Sequence, residues 1–457
     1  MTNKKVRTQM KVIKGEERNK DFYPFISLYT EDELFEECSR CLNCPKPLCK
    51  EGCPINNRIP EFISKAKEGD YASAFEIISD NSIMPDICGT VCPHSKQCEG
   101  NCIRNRIDEP IAIGAIERFI GEWAINNGLT KKNKVETNGK RVACVGAGPA
   151  SMACAEKLLE SGFEVTIYEA EEYVGGVLAW GIPSYRLPKE NVEDHIKRLN
   201  DLGVIYKLNT KVGKDISIQE IVDEYDAVFL GIGAYIPNKM NVEGENLEGI
   251  YSSDEFLKSI NLSPLNENGQ REFNGCGKNV LVIGGGNVAM DAARDAIRLA
   301  QVETVTIVYR RTEEEMPAAM DELEHAKEEG VKFMTLHNPV AFHGDDGHVS
   351  KAECAVMELG EADESGRRSP HETDKPHIFL DVDTVVMALG YKVDASLSKE
   401  VEGLEINKWG CFEVDEEGRT SLNKLYAGGD AVSGAETVVK AMKAGLLTAE
   451  TIKKDLL

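Results

Sequence analysis

Nine of the chain's fourteen cysteines fall between Cys38 and Cys102, and eight of those stand in two groups of four. The first reads Cys41-x2-Cys44-x4-Cys49-x3-Cys53-Pro and the second Cys88-x3-Cys92-Pro-x4-Cys98-x3-Cys102. Soft thiolates closely spaced on turns, with a Cys-Pro closing the run, suit iron–sulfur clusters. A structural zinc site draws on the same residue type. Two complete sets in a chain that also carries two Gly-rich turns of the nucleotide-binding type favour redox chemistry over a structural metal. Nine thiols exceed the eight that two clusters need. Cys38, three residues before Cys41 on an expected helix, suits plain burial, and Cys88 is the other doubtful member.

The second chemical feature is a pair of Gly-rich turns. In RVACVGAGPASMACAEKLLESGFEVTIYEA, Gly146, Gly148 and Pro149 form a turn after an apolar run, Ser151 stands where a third glycine is common, and Ser151–Ser161 reads as a helix. Such a turn lets the backbone approach a pyrophosphate and presents helix N–H groups to it. Glu169 ends the next apolar run, where a carboxylate can accept from a ribose hydroxyl. The second turn, in KNVLVIGGGNVAMDAARDAIRLAQVETVTIVYRRTEEEMP, places Gly284, Gly286 and Ala289 in G-x-G-x-x-A, with Asn287 at the helix start. Its following run ends in Arg310-Arg311 rather than an acid. Guanidinium groups there suit a 2′-phosphate and so NADP over NAD, although the same pair would also suit a solvated strand end. Two such turns imply two dinucleotides, one a tightly held flavin and the other an exchangeable nicotinamide. A third Gly-rich stretch, KLYAGGDAVSGAETVVKAMKAG, offers Gly429, Asp430 and Thr437. Asp430 suits a flavin hydroxyl, and the helix beginning near Thr437 would turn positive potential toward the isoalloxazine. Gly390 completes the candidate cofactor contacts. Because a flavin and a nicotinamide carry the hard chemistry themselves, no catalytic side chain is expected.

These features need elements to hold them. The chain has 457 residues, which suggests two to four domains. Residues 1–138 are Cys-rich, with helical stretches at Asp32–Arg40 and Ile59–Asp80, and the polar Leu129–Lys140 reads as a linker. From Arg141 on, strand and helix alternate, with strands at Arg141–Val145, Glu164–Tyr168, Asn279–Ile283 and Thr304–Tyr309. Such alternation implies parallel sheets in doubly wound units. Asp345–Lys375 is weakly patterned and expected to be hairpin or loop. The expected fold is α/β: two Rossmann-like dinucleotide-binding domains, for FAD and NADPH, preceded by an α-helical iron–sulfur domain. The expected boundaries are 1–138 for the clusters, 139–275 with 385–457 for FAD, and 276–384 for NAD(P)H.

Composition narrows the partners. A formal net charge of −24 argues against nucleic-acid and anionic-membrane binding, which need a basic footprint. No apolar run is long enough for a membrane span, and Met1–Lys20 lacks a secretory h-region, so a cytoplasmic location is expected.

The motifs CLNCPKPLCKEGCP, VCPHSKQCEGNC, PIAIGAIERF, GAGPAS, GGVLAWGIPSYRLPK, GGGNVAMD, YRRTEEEMP and GGDAVSGAETVVKAM together resemble the family of the small (beta) subunit of NADPH-dependent glutamate synthase. They are equally similar to the large subunit of electron-bifurcating NADH-dependent ferredoxin:NADP oxidoreductase, and more distantly to the N-terminal half of dihydropyrimidine dehydrogenase. The resemblance implies FAD on the first turn, NADPH on the second and two interleaved [4Fe-4S] clusters. It pairs Cys41, Cys44 and Cys49 with Cys102, and groups Cys53, Cys92 and Cys98. Glu117 matches a non-cysteine fourth ligand of the second group, a place for which Cys88 competes. It also implies that Gly175–Lys189 lines the flavin, with Gly176 allowing backbone approach and Ile182, Pro183 and Arg186 bordering the isoalloxazine. The implied activity passes electrons between a nicotinamide and a partner: a larger glutamate synthase subunit, or a smaller ferredoxin-reductase-type flavoprotein subunit, with ferredoxin as a further acceptor. The chain has no amidotransferase or FMN barrel of its own. The rival readings are a non-catalytic redox sensor and a zinc-stabilised flavoprotein.

Overall fold

The computed structural model describes residues 5–363, 366 and 368–457. The first four residues of the polar N-terminus, and 364, 365 and 367 of the expected hairpin stretch, lie outside the described residues.

Two parallel five-stranded sheets organise the chain. The first runs Leu425–Ala427, Ala227–Leu230, Arg141–Val145, Glu164–Tyr168, Ile205–Lys207. The second runs Ile250–Ser252, Thr384–Met387, Asn279–Ile283, Thr304–Tyr309, Lys332–Thr335. In each, the strand feeding a Gly-rich turn is central, with parallel neighbours on both sides (Val145 opposite Tyr168 and Leu230; Ile283 opposite Val308 and Met387). Both central strands are buried over their last four residues. That is the apolar run a parallel strand covered on both faces requires.

The chain order is less simple than the sheets. The expected change of unit at 275/276 falls late: Ile250–Ser252 pairs with Thr384–Met387, and the helix Ser253–Asn261 buries Phe256, Leu257 and Ile260 in the core of the second sheet. Thr384–Met387 likewise stays with the second sheet, and only Leu425–Ala427 returns to the first. The weakly patterned stretch is a four-stranded antiparallel sheet of His337–Asp345, His348–Ala362, Arg368–Glu372 and Ile378–Asp381.

Among the described residues before the linker the regular elements are helices, apart from one isolated bridge between Val12 and Ile26. The expected helix Ile59–Asp80 is two helices, Ile59–Lys67 and Tyr71–Ser79. Gly69 breaks it at φ +77°, and Asp70 caps the second by accepting from Ser73 N–H at 3.1 Å. Two further helices, Pro85–Val91 and Ile113–Asn126, touch backbone to backbone. A Cβ on Gly89 would lie 2.4 Å from Arg118 N, and one on Gly121 2.5 Å from Asp86 N. That contact draws Cys88 and Cys92 toward Glu117.

Candidate functional site

The first turn opens into a cavity of about 680 Å³, lined by Gly146, Gly148, Pro149, Glu169, Gly176, Asp430 and Thr437 among others. That is the size of clefts that hold cofactors, roughly 300–1,000 Å³. Gly146 adopts φ +89° and leaves no room for a side chain, since a Cβ would sit 2.7 Å from Gly231 O. At Gly148 a Cβ would meet nothing within 4 Å, so here the backbone itself faces open space at the start of the helix Pro149–Glu160. A carboxylate oxygen of Glu169 accepts from Ala147 N–H at 2.7 Å and the other from Glu171 N–H at 2.9 Å, which fixes the acid at the strand end. Burial nonetheless pushes its carboxyl up.

Two buried oxygens of this lining lack a hydrogen-bond partner among the described residues, Asp430 Oδ1 and Thr437 Oγ1, whereas Ser151 is fully buried in the helix Pro149–Glu160, off the lining. A buried polar group without a partner costs about 1–3 kcal/mol, so such orphans mark where a ligand's hydroxyls or phosphates fit. Burial pushes the Asp430 carboxyl up to about 6. An acid held at about 6 in the folded chain, against its ordinary lower value unfolded, binds its proton more tightly when folded. Its contribution to stability is therefore most favourable at low pH and is lost as pH rises through about 6. In the flavin-free protein, Asp430→Asn should raise the calorimetric melting temperature at about pH 8 and leave it unchanged at about pH 4. A gain equal at both pH values would contradict the assignment.

At the second turn, Gly284 takes φ +143° and a Cβ would press 2.3 Å from Ala388 O. Gly286 precedes the helix Asn287–Ile297, and Asn287 Oδ1 accepts from Ala319 N–H at 2.8 Å, tying the loop after Arg311 to the turn. The two arginines differ. Arg310 is exposed, whereas Arg311 is 7% exposed and its Nε donates to Arg368 O at 3.0 Å. Gly390 has φ +83° and faces Asn238, with no side chain pressed against it.

Cys41, Cys44, Cys49 and Cys102 line one small cavity in the helical region. Burial, reinforced by one another's charge, lifts the Cys41 thiol and takes Cys49 up to about 12. Cys53, Cys92 and Cys98 belong elsewhere, around Glu117. Burial first, with the Glu117 carboxylate adding to it, lifts Cys53 and Cys98. For Cys92 the neighbouring Cys88 thiol leads, followed by burial and Glu117. Glu117 is itself buried, and burial, then Asp86, takes its carboxyl up to about 8. Groups that so disfavour one another's anionic form suit a cationic iron centre, which would offset that cost on binding. All fourteen cysteines are free thiols. Among the described residues, no three His, Cys, Asp or Glu side chains converge closely enough to hold a single metal ion. A cluster, whose ligands each hold a different iron, does not require such convergence, whereas a zinc ion does.

Arg186 and its neighbours are not at the cavity. Ile182, Pro183 and Arg186 are absent from its lining, and the Arg186 guanidinium ion-pairs with Asp291 Oδ2 at 2.6 Å and Glu322 at 2.8 Å. Two further residues went unread in the sequence. Lys189 Nζ donates to the carbonyls of Leu178 and Ile182 from a half-buried position whose desolvation takes its amine down to about 7, and Gly445 sits in a helix contact. Lysine at a loop end carries no spacing signal that would separate it from a solvated one.

Two family profiles match the chain: pyridine nucleotide-disulphide oxidoreductase over residues 140–445, and dihydropyrimidine dehydrogenase domain II, 4Fe-4S cluster, over residues 18–129. The glutamate synthase [NADPH] small chain of Azospirillum brasilense is 35% identical over 446 residues, covering 95% of this chain and 92% of that one. The counterpart from Escherichia coli K12 is 34% identical, covering 95% and 94%. The putative oxidoreductase AegA of Escherichia coli K12 is 37% identical over 93% of this chain, which spans only 66% of its length. Among solved structures, Mycobacterium tuberculosis FprA in complex with NADPH has a TM-score of 0.57 at 21% identity, over 69% of this chain and 84% of that one. Thermoplasma acidophilum thioredoxin reductase has a TM-score of 0.51 at 20% identity, over 69% and 97%. These two likenesses speak for the fold alone.

Proposed function

This chain belongs to the pyridine nucleotide-disulphide oxidoreductase family, in the branch of the glutamate synthase small chains, and from that membership we propose that it takes electrons from NADPH through FAD and two [4Fe-4S] clusters to a partner subunit. When bound, the nicotinamide and flavin exchange a hydride and the clusters conduct electrons singly. The protein's residues bind, orient and tune. Gly146, Gly148 and the helix from Pro149 receive the FAD pyrophosphate. Glu169, Asp430 and Thr437 take its hydroxyls, and Gly176 admits its ring. Gly284, Gly286, Asn287 and Gly390 serve the nicotinamide nucleotide. Cys41, Cys44, Cys49 and Cys102 hold one cluster, and Cys53, Cys92, Cys98 and Glu117 the other. The carrying units are 1–138, 139–275 with 385–457, and 276–384, with 250–261 and 385–387 moved to the last.

The observation that carries this reading is the gathering of Cys41, Cys44, Cys49 and the sequence-distant Cys102 at one cavity. Anaerobic titration of the purified chain with NADPH tests it. Flavin and cluster absorbance should both bleach, with about eight iron and eight sulfide per chain. A colourless protein, or zinc without sulfide, would refute it.

Arg310 is the proposed 2′-phosphate contact, since it is free at the surface while Arg311 is used to anchor the strand at Arg368. A charge-assisted contact contributes about 1.5–3 kcal/mol, so Arg310→Ser should cut the NADPH/NADH ratio of kcat/KM by about 10–100-fold. Steady-state kinetics with both nucleotides would show no change in the ratio if Arg310 were only solvated.

The chain is proposed to be cytoplasmic; no helix among the described residues is long and apolar enough to cross a membrane. The proposed partner is a glutamate synthase large subunit. Purifying the native complex decides: a partner of about 1,500 residues supports it, and one of about 280 residues carrying a flavin points to a bifurcating enzyme.

A further inference from the structure

The segment Gly175–Lys189 begins at the flavin cavity, enters the core of the second unit at Tyr185 and returns to the core of the first at Leu187. Tyr185 is 2% exposed and lies in that unit's core, with Phe22 and Phe25 at ring distances of 6.2 and 6.1 Å and the guanidinium of Arg298 3.9 Å from its ring centroid. Next to it, Arg186 Nη1 donates to both carboxylate oxygens of Asp291 at 2.6 Å, and Nε faces Glu322 at 2.8 Å. Asp291 is on the helix Asn287–Ile297 that starts at the second Gly-rich turn. Glu322 is on the helix Met320–Glu328 that follows the Arg310–Pro317 loop. One guanidinium from the flavin-lining segment therefore ties together both helices that frame the second turn. The same segment is held twice more, both times at Trp180: Asn261 Nδ2 donates to its carbonyl at 3.1 Å, and Lys258 Nζ lies 4.9 Å from its ring centroid.

Stability alone does not account for this arrangement. Burying a guanidinium between two carboxylates carries a desolvation cost that an apolar plug of equal volume avoids. What the ion pairs add is direction, because a planar fork with two fixed carboxylates permits one seating. Hydride transfer needs such a seating, since a displacement of about 1 Å of the reacting atoms can cost about a hundredfold in rate.

We propose that Arg186 is a positioning residue for hydride transfer, seating the nicotinamide unit against the flavin-lining segment through Asp291 and Glu322. The step it serves, which rests on the function proposed above, breaks a C–H bond of the reduced nicotinamide and forms an N–H bond on the flavin. The nicotinamide loses two electrons and the flavin gains them.

The test is Arg186→Gln in the full chain carrying its flavin and clusters, mixed anaerobically with saturating NADPH in a stopped-flow instrument. Flavin reduction should slow by about 10–100-fold. FAD content should be unchanged, and the NADP⁺ dissociation constant, measured by calorimetry, should stay within about twofold, because the loss falls on the rate and not on binding. Hydrogen exchange of 175–189 and 287–297 should quicken without any nucleotide. Arg186→Lys keeps the charge but not the fork and should restore only part of the rate. A variant that melts lower yet reduces its flavin at the unaltered rate overturns the proposal and leaves Arg186 a structural residue. Should Arg186→Gln fail to fold, Glu322→Gln, which keeps the Asp291 pair, should slow reduction in the same direction by less, and an unaltered rate there is equally fatal. An unaltered protein whose flavin NADPH does not reduce would sink the functional reading itself, a result distinct from a variant that matches a normal rate.

Discussion

Cys49→Ala and Cys53→Ala, four positions apart, are expected to remove different clusters, whereas Cys44→Ala and Cys102→Ala are expected to remove the same one. Cys41, Cys44, Cys49 and Cys102 share a cavity, while Cys53 lies within reach of Glu117, as do Cys92 and Cys98. Cys49 lies on the helix Leu48–Glu51 and Cys53 beyond the turn that ends it, where backbone N–H of Cys53 donates to Lys50 O at 3.1 Å. Each single variant should fall from about eight iron per chain to about four, because each ligand holds one iron of its cubane and its loss leaves that corner open to solvent and the cluster to disassembly. Cys44→Ala combined with Cys102→Ala should lose no more than either alone, since groups acting as one unit are not additive. Cys49→Ala combined with Cys53→Ala should be iron-free. Electron delivery to the partner should drop by at least about 10–100-fold in every case. Cys38→Ala, at a thiol buried among Tyr29, Leu34 and Phe62, should keep its full iron. Iron and sulfide analysis with electron paramagnetic resonance of the reduced proteins reads the pattern. Loss of a common signal in Cys49→Ala and Cys53→Ala would mean that the clusters are sequential and not interleaved.

The proposed interleaving is invisible to spacing. Each group of four cysteines is regular enough to hold a cluster by itself, and only the close approach of the helices at Gly89 and Gly121 brings the later thiols to Glu117. What spacing does reveal is the pair of central strands, because a strand buried on both faces has to be a continuous apolar run, and RVACV and NVLVI are such runs before G-x-G. The antiparallel sheet from His337 to Asp381 is harder to read, since its strands are half exposed and bent by register shifts near Pro339 and His343. Ile250–Ser252 is only three residues long, too short to declare which sheet it joins. Arg186 sits in a Gly- and Pro-rich segment that borders the flavin cavity at its start, and the family resemblance points its side chain at the flavin. Its true partner Asp291 is 105 positions away, and no local pattern encodes a tie of that length.

Gly445→Ala is the substitution in which local preference and packing disagree most sharply. Gly445 lies inside the helix Val438–Leu456, where alanine would ordinarily be favoured by about 1 kcal/mol. That helix crosses Pro149–Glu160 so closely that a Cβ on Gly445 would stand 2.0 Å from Ala150 O and 3.1 Å from Cys154 N. Both obstacles are backbone atoms of a helix fixed by the buried strand before it, so no side chain can swing aside, and the helices must part by about 1 Å. Overpacking of this kind costs about 1–3 kcal/mol and more when backbone must move, which outweighs the propensity gain. The consequence reaches the cavity, because Thr437, Val438 and Ala441 at the start of the same helix form part of its wall. Gly429, at φ +68°, adds a second close contact there, with a Cβ 2.9 Å from that of Ala150. Gly445→Ala should therefore lower the melting temperature and bind FAD at least about tenfold more weakly, since 1.4 kcal/mol of lost fit is already a factor of ten. Flavin release on dilution, followed by fluorescence, measures the second effect. If the variant melted higher and kept its flavin, helix propensity would have won, and the contact between the two helices would have to be looser than Gly445 and Ala150 make it.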